Sequence, residues 1–140
     1  MLMLVDLMFP KFLDTLDDTA TLAATMAPRL TPSDILCLHG RLGVGKTTFA
    51  KHLIANLTQE THITSPTFNI LQVYGRVYHY DLYRLRTPDE LREIGLWDNI
   101  YGNISLIEWP ELIVPHLPEG ALHMYFGFEG ARRYVMLPWI

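Results

Sequence analysis

The sequence predicts an α/β fold, a mixed sheet with a parallel core and an antiparallel hairpin, flanked by helices. Three observations carry that expectation. A nearly unbroken apolar run at 34–39 leads into a glycine-rich loop and then into an apolar stripe at helical spacing, Phe49, Ala50, Leu53, Ile54 and Leu57. Two roughly alternating β-branched and aromatic runs, 68–74 and 76–80, meet at Gly75 as a hairpin would. A second continuous apolar run, 104–107, ends in an acid, Glu108.

The remaining elements follow from their punctuation. Residues 12–15 suit a short strand, and Asp17 and Asp18 then offer an N-cap and an early-turn carboxylate for a helix to about Ala27, stopped by Pro28. Pro88 and Asp89 open a short helix that Gly95 ends, and 96–101 gives another turn. Pro110 suits the first turn after the 104–107 strand, and runs at 121–128 and 132–137 read as two closing strands across Glu129 and Gly130. With no repeat and no linker, residues 1–140 read as one domain.

Composition narrows the function classes. Hydrophobic residues make up 49% and charged residues 19%, which suits a chain folding around an apolar core. The apolar start, Met1 to Phe9, is broken by Asp6 and is far shorter than the roughly 20 residues that span a bilayer, so neither signal nor anchor is expected. One cysteine, Cys37, sits in an apolar strand and fits a reducing cytoplasm. With a net charge of −4 and lysines only at 11, 46 and 51, autonomous nucleic-acid binding is not expected. Arg76, Arg84, Arg86 and Arg92 gather in one stretch, as a solvated face or a partner surface.

The loop carries the chemistry. Gly40, Gly45, Lys46 and Thr47 match G-x-x-x-x-G-K-[ST] at every constrained position, between a buried strand and an amphipathic helix. Backbone N–H groups of Gly40, Leu42, Gly43, Val44, Gly45, Lys46, Thr47 and Thr48 can turn inward around phosphate only where glycines remove side-chain obstruction. Lys46 supplies positive charge to the β- and γ-phosphates, and the Thr47 hydroxyl suits Mg²⁺.

Two acids stand at strand ends, Asp81 and Glu108. The run ending in Glu108 has the continuity of a central parallel strand beside the loop strand, whereas 77–80 alternates like an antiparallel edge, so Glu108 is the expected metal acid. Asp81 then positions water, acts as a general base or supports magnesium, or else caps the turn at 82–84. Thr67, in the segment between the loop helix and the hairpin, is the expected γ-phosphate sensor. Trp109 either stacks on the base or packs in the core. Guanine-reading N-K-x-D is absent, which favours ATP, and the arginine-bearing stretch does not form the lid a small-molecule kinase would need.

Taken together, GRLGVGKTT at 40–48, SPTF at 65–68, YHYDLYRL at 78–85 and IEWPE at 107–111 resemble the TsaE family, from about Asp17 to Arg133. The resemblance implies a P-loop ATPase that supports threonylcarbamoylation of adenosine 37 in tRNA with the TsaB and TsaD subunits. By matching motif, it implies phosphate and Mg²⁺ binding by Lys46 and Thr47, a metal-holding Glu108, an Asp81 needed for turnover and a Trp109 in contact with adenine. It also implies nucleotide contacts from an acidic or polar residue at the first helix and an arginine near the C-terminus. Asp18 and Arg132 are the nearest matches, with Arg133 an equal geometric candidate. Arg41 departs from the family, which usually carries Asp there. Alternatives to an ATPase are a nucleotide-gated adaptor without essential hydrolysis and a small-molecule kinase.

Overall fold

A computed structural model of the chain describes residues 10–66 and 69–137, so the expected sensor Thr67 lies outside the described residues. Its strands, β1 (Lys11–Phe12), β2 (Ile35–His39), β3 (Leu71–Tyr74), β4 (Val77–Asp81), β5 (Ile104–Glu108), β6 (Leu122–Glu129) and β7 (Arg132–Met136), form one sheet in the order β1-β7-β6-β2-β5-β4-β3. The sheet is parallel from β6 through β2 and β5 to β4, and antiparallel at both margins, where β3 pairs β4 and β7 pairs β6 and β1. The mixed α/β architecture read from the sequence is therefore present.

Alternation of side chains divides the core between the two faces. Leu36, Leu38, Leu106 and Met124 meet helices α1 (Leu16–Met26) and α2 (Lys46–Thr58), whose apolar stripes include Leu22, Ala23, Phe49 and Leu53. Ile35, Cys37, Tyr80 and Ile107 meet Leu91 and Leu96 from the short helices α3 (Pro88–Glu93) and α4 (Leu96–Asn99). A fully buried Leu of this kind contributes about 2 kcal/mol through the water it leaves. Cys37 has no exposed surface, and burial pushes its thiol up to about 12. No described helix is long and apolar enough to cross a membrane.

Four local expectations change. The strand expected at 12–15 is only Lys11–Phe12, because the chain has already turned at Thr15 to cap α1. Helix α1 starts at Leu16, not at Asp17 or Asp18: Thr15 is the N-cap, its hydroxyl accepting from the Asp18 N–H at 3.1 Å while the Asp18 carboxylate accepts from the Thr15 N–H at 3.0 Å. This reciprocal box satisfies two orphan donors at once, which fixes the start two residues before the acidic pair alone would. Strand β3 begins at Leu71 because Ile70 has φ of +63°, a left-handed conformation that interrupts extended backbone. Most consequentially, β4 is no edge: it lies between β3 and β5, and its polar alternates His79 and Asp81 are buried toward α2 rather than solvated. The alternation that looked like a wet edge came from a polar site inside the molecule.

Candidate phosphate-binding site

The end of β2, the loop at 40–45 and the start of α2 make the anchor. Gly40 has φ of +143°, and a Cβ there would lie 2.7 Å from the Phe126 carbonyl oxygen of β6, so only glycine lets the chain leave the sheet at this point. Gly45, at φ of +106°, is the N-cap of α2 and supplies no side-chain acceptor, which leaves the helix's first N–H groups open toward a cavity of about 540 Å³. Val44 is buried beneath the loop and packs against Gly40.

The charged groups converge at this end of the cavity. Lys46 is buried; its ammonium donates to the Gly40 carbonyl and lies 3.5 Å from the centre of the Trp109 ring. Burial lowers its pKa, while Glu108, Glu111 and Asp81 oppose that shift. At the next residue of the same helix end, Thr47 Oγ1 donates to Glu108 Oε1 at 2.7 Å, and Glu108 Oε2 meets His79 Nε2 at 2.7 Å. Parallel pairing of β4 with β5 sets Asp81 directly opposite Glu108. Burial raises the Asp81 carboxyl above the usual range, with the Glu108 charge adding to the effect and the Tyr83 N–H, which donates to Oδ1 at 3.0 Å, opposing it. That bond is also the cap foreseen for the 82–84 turn.

Gly43, Gly45, Lys46, Thr47, Thr48, Leu42, Asp81, Glu108 and Trp109 all line this one cavity. Gly40 and Val44 stand behind the lining. Trp109 is half-buried with φ of +54°, and its ring faces Lys46 and, at 4.8 Å, Tyr83. The indole therefore sits at the Lys46 end of the cavity. Asp18 does not line the cavity, because its carboxylate is occupied in the α1 box; Asp14, Thr15, Leu16 and Thr19 take that side. Nor does Arg132, which makes a two-pronged pair with Asp14 at 2.8 and 3.0 Å. Arg133 is the cavity residue, donating to the Gly43 carbonyl at 3.3 and 3.4 Å. Arg41 lies over the Phe128 ring at 4.8 Å. His79 was missed from the sequence; the available signal was its spacing of two before Asp81, which puts both on one strand face.

The donor set fits magnesium. Among the described residues no three His, Cys, Asp or Glu side chains cluster as a cage, but a hydroxyl beside a carboxylate is the small, hard oxygen set that Mg²⁺ takes when water and phosphate oxygens fill the rest of its octahedron.

A buried parallel strand running through a glycine loop into a helix that opens with Lys-Thr, with acids closing the two next strands, defines a protein of the P-loop NTPase-like fold. Residues 13–134 match the family model described as threonylcarbamoyl adenosine biosynthesis protein TsaE, and the chain belongs to the TsaE family. It is similar to the tRNA threonylcarbamoyladenosine biosynthesis protein TsaE of Rickettsia felis, 47% identical over 69% of this chain and 60% of that protein. The protein of the same description from Bacillus subtilis is 36% identical over 81% of this chain and 74% of its own length. The matched region spans only about three-fifths of the Rickettsia felis and Rickettsia conorii relatives. The crystal structure of Bacillus subtilis YdiB superposes with a TM-score of 0.71 and 28% identity, covering 92% of this chain and 85% of that one.

Proposed function

We propose that this chain binds and hydrolyses ATP with Mg²⁺ as a subunit of the cytoplasmic machinery that threonylcarbamoylates adenosine 37 of tRNA, acting with TsaB and TsaD. Family membership and the description shared by its relatives support the pathway. The observation that carries the nucleotide reading is the buried chain Thr47–Glu108–His79 beside Lys46 and the open start of α2. ATP is the favoured nucleotide because the sequence lacks the guanine-reading pattern.

In this reading Gly43, Gly45 and the first N–H groups of α2 hold phosphate oxygens, and Lys46 neutralises charge that the buried site would otherwise make costly. Thr47 and Glu108 would hold Mg²⁺, which when bound offsets negative charge on the phosphates. Asp81, with its raised proton affinity, orients an attacking water and accepts its proton. Leu13, Leu16, Thr19 and Arg133 are left for the nucleoside half.

The test is genetic and chemical together. In cells whose own copy has been removed, Lys46→Ala and Glu108→Ala are expected to abolish threonylcarbamoylated tRNA, measured by mass spectrometry of tRNA nucleosides. Normal modification in either strain overturns the reading. One observation favours a nucleotide-gated adaptor instead: Leu16 and Leu42, 70% and 84% exposed, rim the cavity as apolar surface that a partner would cover. Asp81→Ala separates the two, since an adaptor keeps modification going without hydrolysis.

A further inference from the structure

We propose that His79 is the positioning residue that holds the Glu108 carboxylate in register for magnesium; this rests on the nucleotide reading above and adds a residue to it. His79 sits in the middle of β4 with no exposed surface. It pairs across to Leu106, so Glu108, two residues further along β5, is its diagonal neighbour on the same sheet face. The two oxygens of Glu108 are divided: Oε1 accepts from the Thr47 hydroxyl and Oε2 faces His79 Nε2, each at 2.7 Å. A carboxylate only accepts, so Nε2 carries the hydrogen and donates. Two donors from different elements, helix α2 and strand β4, thereby fix both the position and the plane of one carboxylate.

The other ring nitrogen shows what the imidazole is for. Nδ1 is buried and has no hydrogen-bond partner among the described residues. Burying an unmatched polar nitrogen disfavours folding, and away from Asp81 and Glu108 its neighbours on the same sheet face are apolar, Val77, Ile104 and Leu106. A leucine would leave no unmatched nitrogen there, but it would also leave Glu108 Oε2 without its donor. An imidazole at this place serves the bond it does make, the one to Glu108. Of the two donors on that carboxylate, Thr47 is the one assigned to the ion, so His79 is the donor that does not compete with magnesium for its own bond. Ligand carboxylates held in this way bind metal better, and removing such an outer partner costs about 10–100-fold in metal affinity.

The experiment measures binding rather than turnover. Affinity for a non-hydrolysable ATP analogue is determined by calorimetry with Mg²⁺ and with EDTA, for the wild type, His79→Leu and His79→Gln, alongside thermal melting. The wild type should bind more tightly with Mg²⁺. His79→Leu should bind as the wild type does in EDTA and lose about tenfold or more of the magnesium-linked gain; it should stay folded but melt lower, because Oε2 of the buried Glu108 loses its donor. His79→Gln, which keeps an N–H within reach of Glu108, should recover most of that gain. A leucine variant that retains the full gain, or that loses binding equally with and without Mg²⁺, overturns the role of His79 alone. A wild type with no magnesium-linked gain overturns the nucleotide reading itself. Should the leucine variant not fold, His79→Asn, whose shorter amide falls short of Glu108, replaces it against His79→Gln with the same expected and overturning results.

Discussion

The two ends of the cavity are built by opposite means. At the end proposed for phosphate, Lys46, His79, Asp81 and Glu108 are all less than a tenth exposed and are carried by α2 and two interior strands. At the other end the walls are Leu16 and Leu42, mostly exposed, with Arg133 and the turn at Asp14 and Thr15 before α1. The first end is set by the core, so its groups are held before any ligand arrives. The second is set by surface turns, so its discrimination between bases rests on exposed side chains and is expected to be weak. Phosphate number should matter more to affinity than base identity.

The largest expected effect lies at the buried end. Asp81→Asn keeps the Tyr83 N–H acceptor and hence the turn, but removes the proposed base. ATP turnover is expected to fall about 100-fold or more with nucleotide affinity little changed. The pH dependence follows from the direction of the shift. A carboxyl whose folded pKa is raised above its unfolded value binds its proton more tightly when folded, so its ionisation opposes folding as pH rises from the unfolded pKa through the folded one. The variant should therefore melt no lower than the wild type at neutral pH when both are measured without nucleotide and Mg²⁺. A variant that turns over normally, or that melts lower than the wild type at neutral pH, breaks the contrast between the two ends.

An intermediate effect tests strain at the boundary. Trp109 adopts φ of +54°, a left-handed conformation that costs a non-glycine residue roughly 1–2 kcal/mol. Both Trp109→Ala and Trp109→Gly lose the ring over Lys46 and its contact with Tyr83, but only glycine relieves the backbone. In urea unfolding the glycine variant should be more stable than the alanine variant by about 1 kcal/mol. Equal stabilities would mean that the ring, and not the backbone, sets the conformation at this junction.

This contrast also explains what the sequence revealed. The loop, the loop strand, the amphipathic helix after it and the parallel strand ending in Glu108 were legible because each is local: glycine spacing, an unbroken apolar run, a 3.6-residue stripe. The burial of β4 was not, since His79 and Asp81 give an interior strand the same alternating pattern as a solvated edge. Whether a polar residue faces water or a carboxylate on another strand depends on pairing, which no local window contains. The start of α1 was misread for a related reason. Asp17 and Asp18 have the composition of a cap, but Thr15 provides the reciprocal bonds that decide it.

The smallest effect concerns the exposed end, where one residue of register settles which arginine matters. Arg132 and Arg133 are adjacent on β7, so they point to opposite faces of the sheet. Arg132 goes to Asp14 and lies over the Phe12 ring, whereas Arg133 reaches the phosphate loop at Gly43. The sequence matched both equally because an alignment slip of one residue leaves composition unchanged while exchanging the faces. Arg133→Ala is expected to weaken nucleotide binding by about threefold, the scale of roughly 0.2–1 kcal/mol that an exposed charged contact supplies, and to do so less at high salt. Arg132→Ala should leave that affinity unchanged. If calorimetry found the reverse, β7 would present its other face to the loop, and the assignment of the whole nucleoside end would turn over with it.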